Sequence, residues 1–291
     1  MRLARLLLIA HLAALGFGLA GILIAIPNPQ LWADQAWGLK VFNFGITYAG
    51  SLHIVLGALA MFTFGLYALG WRRTSIFFAL SMPISLSAEL IGTGTGWPFG
   101  NYAYTDFLGY KIAGHVPFSI PLSWFYVGFA SLLLGSAIAS RRGLRPRGAW
   151  SVGLGVWFLT VWDLVLDPAM AHKSLPVKFW EWSETGPYFG MPIQNFAGWT
   201  ATGLIFMSLS RWAWRQGADP DRDRIAIWFP LTIYAANAFF AMVLSASVGL
   251  WLPILLAVLL GLVPATLAWR TGPTGPAPRT SDGSWRPLPT Q

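Results

Sequence analysis

The chain has 291 residues, 55% hydrophobic and 10% charged, with a mean hydropathy of +0.56. Soluble domains carry about 25% charged residues, so this chain has too few to cover a water-facing surface. There is no cysteine, which excludes disulfides, thiolate catalysis and cysteine-ligated metals.

In chain order, apolar runs of roughly the 20 residues that cross a bilayer occur at about 6–26, 48–70, 75–91, 121–140, 149–167, 197–214, 225–246 and 248–269. The pattern predicts an all-α fold, a polytopic transmembrane helical bundle of about eight spans, forming one domain over residues 1–270. The Pro/Gly/Thr-rich stretch 271–291 is expected to be a disordered tail. Arg2 and Arg5 precede "LLLIAHLAAL" as in a signal peptide, but the apolar run continues to Ile26 and no small-x-small site follows. It is therefore read as an uncleaved span.

The net charge of +8 follows topology. Arg2, Arg5, Arg72, Arg73, Arg141, Arg142, Arg145, Arg147, Arg211, Arg215, Arg222, Arg224, Arg270, Arg279 and Arg286 all fall in alternate segments; the others hold only Lys40, Lys111, Lys173 and Lys178. This positive-inside pattern predicts a multi-pass protein of the cell membrane with both termini cytoplasmic, and no nucleic-acid partner.

Two long loops, about 92–120 and 168–196, fall on the other side. They carry "GTGTGWPFGNYAYTDFLGY" and "FWEWSETGPYFGMPIQNF". Loops of this length without periodicity are functional or disordered, and their aromatic density argues against disorder. Part of the Trp and Tyr content serves as interface anchors. "FSIPLSWF" (118–125) lines up with "FGMPIQNF" (189–196), and an acidic helix end precedes each loop. This hints at two parallel helix–loop–helix units.

Those acids are Glu89, and Asp163 with Asp167 at i and i+4 on one helix face. A charge at bilayer depth costs on the order of 3 kcal/mol on insertion scales, so each is a functional candidate. The alternative is a cap at the interface, strongest for Asp167, since Pro168 follows where the helix is expected to stop. No Lys or Arg lies at comparable depth, which makes a protonated, hydrogen-bonded carboxylic acid the natural form. Asp34, Asp106, Asp219, Asp221, Asp223 and Asp282 are solvated loop or tail residues, and Glu181 and Glu184 in the second loop are ambiguous.

His11, His53, His115 and His172 are scattered, without the close pairs of a di-metal cage, and no metal site is expected. That argues against oxygen-dependent hydroxylation; each reads as packed or solvated. The four Lys lie outside the spans, which excludes a retinal Schiff base. What remains is a set of carboxyls among aromatics in an apolar protein. A buried acid can protonate an alkene, aromatic faces can stabilise the cation by about 2 kcal/mol each when desolvated, and a second carboxylate can divide the acid–base work.

The motifs "GWPFGNYAYT" (96–105), "DPAM" (167–170), "FWEW" (179–182) and "GPYFGMPIQNFAGW" (186–199) resemble the carotenoid 1,2-hydratase family of integral membrane proteins, the γ-carotene, lycopene and bisanhydrobacterioruberin hydratase type. The resemblance covers about 85–205. It implies cofactor-free addition of water across the terminal double bond of an acyclic carotenoid end, giving a tertiary alcohol. The partners would be an apolar carotenoid, membrane lipid and other enzymes of the pathway. On that reading Asp167 or Asp163 donates the proton, with Glu89 as partner. Asn195 orients water or a carboxyl, and Trp97, Tyr102, Tyr104, Trp182 and Tyr188 line the end-group pocket. A membrane lycopene cyclase, a proton-coupled transporter and a non-catalytic pathway scaffold are the competing readings.

Overall fold

The computed structural model describes residues 1–214 and 226–270. The tail at 271–291 and Arg215, Arg222 and Arg224 lie outside the described residues. The helices are α1 (Arg2–Ala20), prolonged by a π turn (Gly21–Ala25), α2 (Ala36–Ala68), α3 (Trp71–Thr95), α4 (Ser119–Arg141), α5 (Arg147–Met170), α6 (Gln194–Trp214), α7 (Trp228–Ser247) and α8 (Trp251–Leu256). A second π turn (Ala257–Leu262) joins α8 to α9 (Val263–Arg270). Among the described residues, six helices are long and apolar enough to cross a bilayer: α1 with its π turn, α2, α3, α4, α5 and α7. In α6, Thr200, Thr202, Ser208, Ser210 and Arg211 dilute the apolar content of its 21 residues. The protein is an all-α multi-pass membrane bundle.

Two boundaries differ from those read in the sequence. α2 begins at Ala36, not near 48, although Gly38, Lys40 and Asn43 lower the local hydropathy. The loop after α1 captures these turns: the Trp32 ring stacks on Phe42 at 4.0 Å, and its indole N–H donates to the Ala25 carbonyl at 2.8 Å. α5 does not stop at Pro168 but continues to Met170. Proline removes the hydrogen bond to the carbonyl four residues back. Here that carbonyl, Leu164 O, accepts from the Tyr188 hydroxyl at 3.0 Å, so the helix passes the proline with the freed acceptor satisfied.

α4 is the central helix: 83% of its apolar window is buried within the protein, against 28% for α1 and for α3. Lipid gives helices no hydrophobic reason to associate, so small residues that allow close approach decide the packing. A Cβ on Gly135 of α4 would lie 2.6 Å from the Gly155 nitrogen of α5, and one on Gly155 would lie 3.0 Å from the Leu132 Cα. Gly135→Leu is expected to lower stability by about 3 kcal/mol, because backbone and not a flexible side chain must yield. Thermal unfolding in detergent would show the drop.

The termini of several helices gather at one end. Arg5 lies 5.6 Å from the Trp228 ring centroid, and the Trp214 indole donates to the Arg73 carbonyl at 3.1 Å. The two long loops meet at the opposite end. There β1 (Tyr102–Tyr104) and β4 (Trp180–Trp182), one from each loop, pair antiparallel, with Tyr102 opposite Trp182 and Tyr104 opposite Trp180. A two-residue ladder, β2 (Lys111–Ile112) with β3 (Val116–Pro117), closes the first loop. The loops that lack periodicity in sequence are thus tied to each other by backbone pairing, which no local pattern reports.

Candidate active site

Glu89 sits near the end of α3, 3% exposed. Gly96, left-handed at φ 78°, terminates α3 and turns the chain into the first loop. That turn throws Trp97 outward, 66% exposed and away from the cavity described below. Phe99 folds back instead, into notches that only glycine leaves: a Cβ on Gly92 of α3 or Gly198 of α6 would lie 2.7 or 2.4 Å from its ring. β1 follows. Alternate strand residues share a face, so Tyr102 and Tyr104 both turn towards Glu89.

Three donors converge on that carboxylate. Tyr102 and Tyr104 donate to Oε2, the latter at 2.8 Å, and the Trp124 indole of α4 donates to Oε1 at 2.9 Å. Burial first, and then the Glu89 charge, hold both phenols well above the usual tyrosine range, so they remain protonated donors. All three bonds are donated to the carboxyl, which accepts on both of its oxygens. The strand register sets Trp182 beside Tyr102 at 5.2 Å and Trp180 beside Tyr104 at 6.0 Å, a plate of four aromatics.

Across from this plate, α5 carries Asp163 and Asp167, 0% and 4% exposed. Both accept from the Asn195 amide of α6, Asp163 at 2.9 Å. Tyr188 lies on the Asp163 side, its hydroxyl on Leu164 O; burial and then Asp163 push it up to about 12.

Glu89, Tyr102, Tyr104, Trp182, Asp167 and Asn195 line a single cavity with about 710 Å³ of empty space, part of it open to the outside. Asp163 and Tyr188 stand behind that wall, and Trp97 is outside it. Trp97→Ala is accordingly expected to change product yield by no more than about twofold, as for other surface substitutions; pigment analysis of the variant would check it.

The structure adds residues that the sequence did not single out. Trp124 stacks on Trp199 at 3.9 Å, and Trp162 meets Trp199 edge-on at 5.8 Å. Trp162 and Trp182 line the cavity with indole N–H groups that have no partner among the described residues. His53, read in the sequence as packed or solvated, lines the far end with Tyr126 and Asn237. A signal for Trp124 was present: in the aligned stretches it occupies the column of Asn195. Both residues donate a side-chain N–H to a carboxyl on the preceding long helix, which gives the two helix–loop–helix units a shared role.

The cavity therefore presents two unlike carboxyl sites, a pair held on one amide and a single carboxyl under three donors, across an aromatic interior. Such a site can deliver a proton to an apolar π bond and stabilise the cation that results. No solved structure matches the chain. It is 28% identical over 217 residues, 70% of its length, to the bisanhydrobacterioruberin hydratase of Haloarcula japonica, and the match spans 66% of that relative. Residues 49–264, which contain every residue that lines the cavity, match the family described as carotenoid biosynthesis protein, and the chain belongs to that family.

Proposed function

We propose that this protein adds water across the terminal double bond of an acyclic carotenoid end. The observation that carries the reading is the Asp163–Asp167 pair, held on one Asn195 amide, facing Glu89 and its three donors across an aromatic cavity. The hydratase relative supports it.

Asp167, the member of the pair on the cavity wall, gives its proton to the less substituted alkene carbon. The π electrons form that C–H bond and leave a tertiary cation. The Asn195 amide, which donates to Asp167 and Asp163 alike, stabilises the negative charge left behind. The Glu89 carboxylate and the faces of Trp124, Trp182 and Trp199 stabilise the cation. Water forms the C–O bond and returns one proton to a carboxylate, so the acid is regenerated and the net change is addition of one water. An ordered water needs two to four polar partners, and the free indole N–H groups of Trp162 and Trp182 supply two. The basic end of the bundle faces the cytoplasm by the positive-inside rule, which places this chemistry towards the outer half of the cell membrane.

The test is expression in a bacterium that accumulates lycopene, with mass spectrometry of the extracted pigment. A product heavier by one water with unchanged polyene absorption supports hydration. Unchanged mass overturns it, and a blue-shifted spectrum at unchanged mass identifies cyclisation.

A further inference from the structure

The acid cavity does not end at its polar far wall. His53 and Phe240 line both it and a second, larger and apolar space of about 1220 Å³ between α1, the π turn that prolongs it, and α2. Gly21, Gly45 and Ala49 leave room along its floor, Phe17 flanks it, and Phe107 and Phe179 from the two long loops cover it. Along α2 the lining runs from Trp37 to His53, about 24 Å at 1.5 Å per residue.

We propose that this space is the binding track for the unreacting polyene chain, entered from lipid between α1 and α2, with the end group passing His53 and Phe240 to reach the carboxyls. The proposal rests on the hydratase reading for its ligand. Three features select a rigid conjugated chain as occupant. The track is continuous with the reacting site, its walls are aromatic at Phe17, Phe179 and Phe240, and its length takes several isoprene units in line with the end group. Ile24, Leu31 and Val41 beside it are exposed, as at a mouth that opens to lipid.

The threshold is held rigidly. The His53 Nδ1 bonds the Ala49 carbonyl at 3.0 Å, and the ring lies stacked on Phe240 at 5.6 Å. Behind it, Tyr126 donates to Asn237 at 2.6 Å, Asn237 meets His11 Nε2 at 3.1 Å, and His11 Nδ1 meets the His53 carbonyl at 2.7 Å. This chain ties α1, α2, α4 and α7 together around the opening. Remote binding of the polyene would then hold the reacting alkene at the acids, as binding energy far from the chemistry does in other enzymes.

Gly21→Phe and Gly45→Leu test the track without touching the carboxyls. A Cβ at Gly21 meets nothing within 4 Å, and one at Gly45 meets only the Phe17 ring at 3.4 Å. Replacing a helical glycine does not weaken the helix. The purified full-length protein would be assayed for conversion of lycopene, for conversion of geraniol, which ends in the same dimethyl-substituted alkene, and for lycopene retained through purification. In the variants, lycopene conversion and retention are expected to fall about tenfold while geraniol conversion stays within about twofold. Unchanged lycopene conversion, or equal losses on both substrates, overturns the track. If the wild-type protein hydrates neither compound, the hydratase reading fails and retention alone decides: loss in the variants supports the track, and equal retention overturns it.

Discussion

Asp167→Asn is expected to lower carotenoid hydration by about 10²–10⁴-fold, the range that a positioned general acid contributes. The substitution removes the transferable proton and little else. An asparagine oxygen still accepts from Asn195, the side-chain volume is nearly unchanged, and α5 keeps its path through Pro168 because Tyr188 still satisfies Leu164 O. Membrane levels of the protein and its thermal unfolding in detergent should therefore match wild type while product disappears from the pigment extract. Asp163→Asn should be milder, since Asp163 backs the pair and does not line the cavity. A fully active Asp167→Asn protein would remove Asp167 as the acid.

Glu89→Gln is expected to act on both rate and stability. The carboxylate proposed to face the developing cation is lost, which costs about 10²–10³-fold by analogy with deleting one preorganised electrostatic partner. In addition, the amide NH₂ must replace an accepting oxygen opposite either the Tyr102 and Tyr104 hydroxyls or the Trp124 indole, all of which now donate to Glu89. At least one buried donor then loses its acceptor, at a cost of about 1–3 kcal/mol. Pigment analysis reads the first effect and the detergent melting temperature the second. A variant that melts lower yet hydrates at the wild-type rate would leave Glu89 a purely structural role.

Much of the fold was legible because lipid imposes a local rule. Every spanning segment must bury its own backbone polar groups, so length and hydropathy announce each helix without knowledge of its neighbours. The limits of that rule appear where neighbours intervene. Trp32 and Phe42 hold the first turns of α2 in helix despite Gly38, Lys40 and Asn43, and Tyr188 carries α5 past Pro168 from 24 residues away. The carboxyls stood out for the same local reason, as ionisable groups inside apolar runs. Trp124 did not by itself: one tryptophan among 17 is marked only by sharing a column with Asn195, and its use shows once its indole is seen on Glu89.

The sequence by itself determined that this is a helical membrane bundle, and it marked Glu89, Asp163 and Asp167 as the charges that needed explaining. Only the tertiary structure decided how they are used. It set two aspartates on one amide and one glutamate under three donors, put Trp97 outside and Trp182 inside, and joined the cavity to the groove between α1 and α2. The division has one cause. Hydropathy and helical spacing are properties of neighbouring residues, whereas a carboxyl's partners here arrive from the first of the paired loops and from two other helices, over separations of 13 to 35 residues.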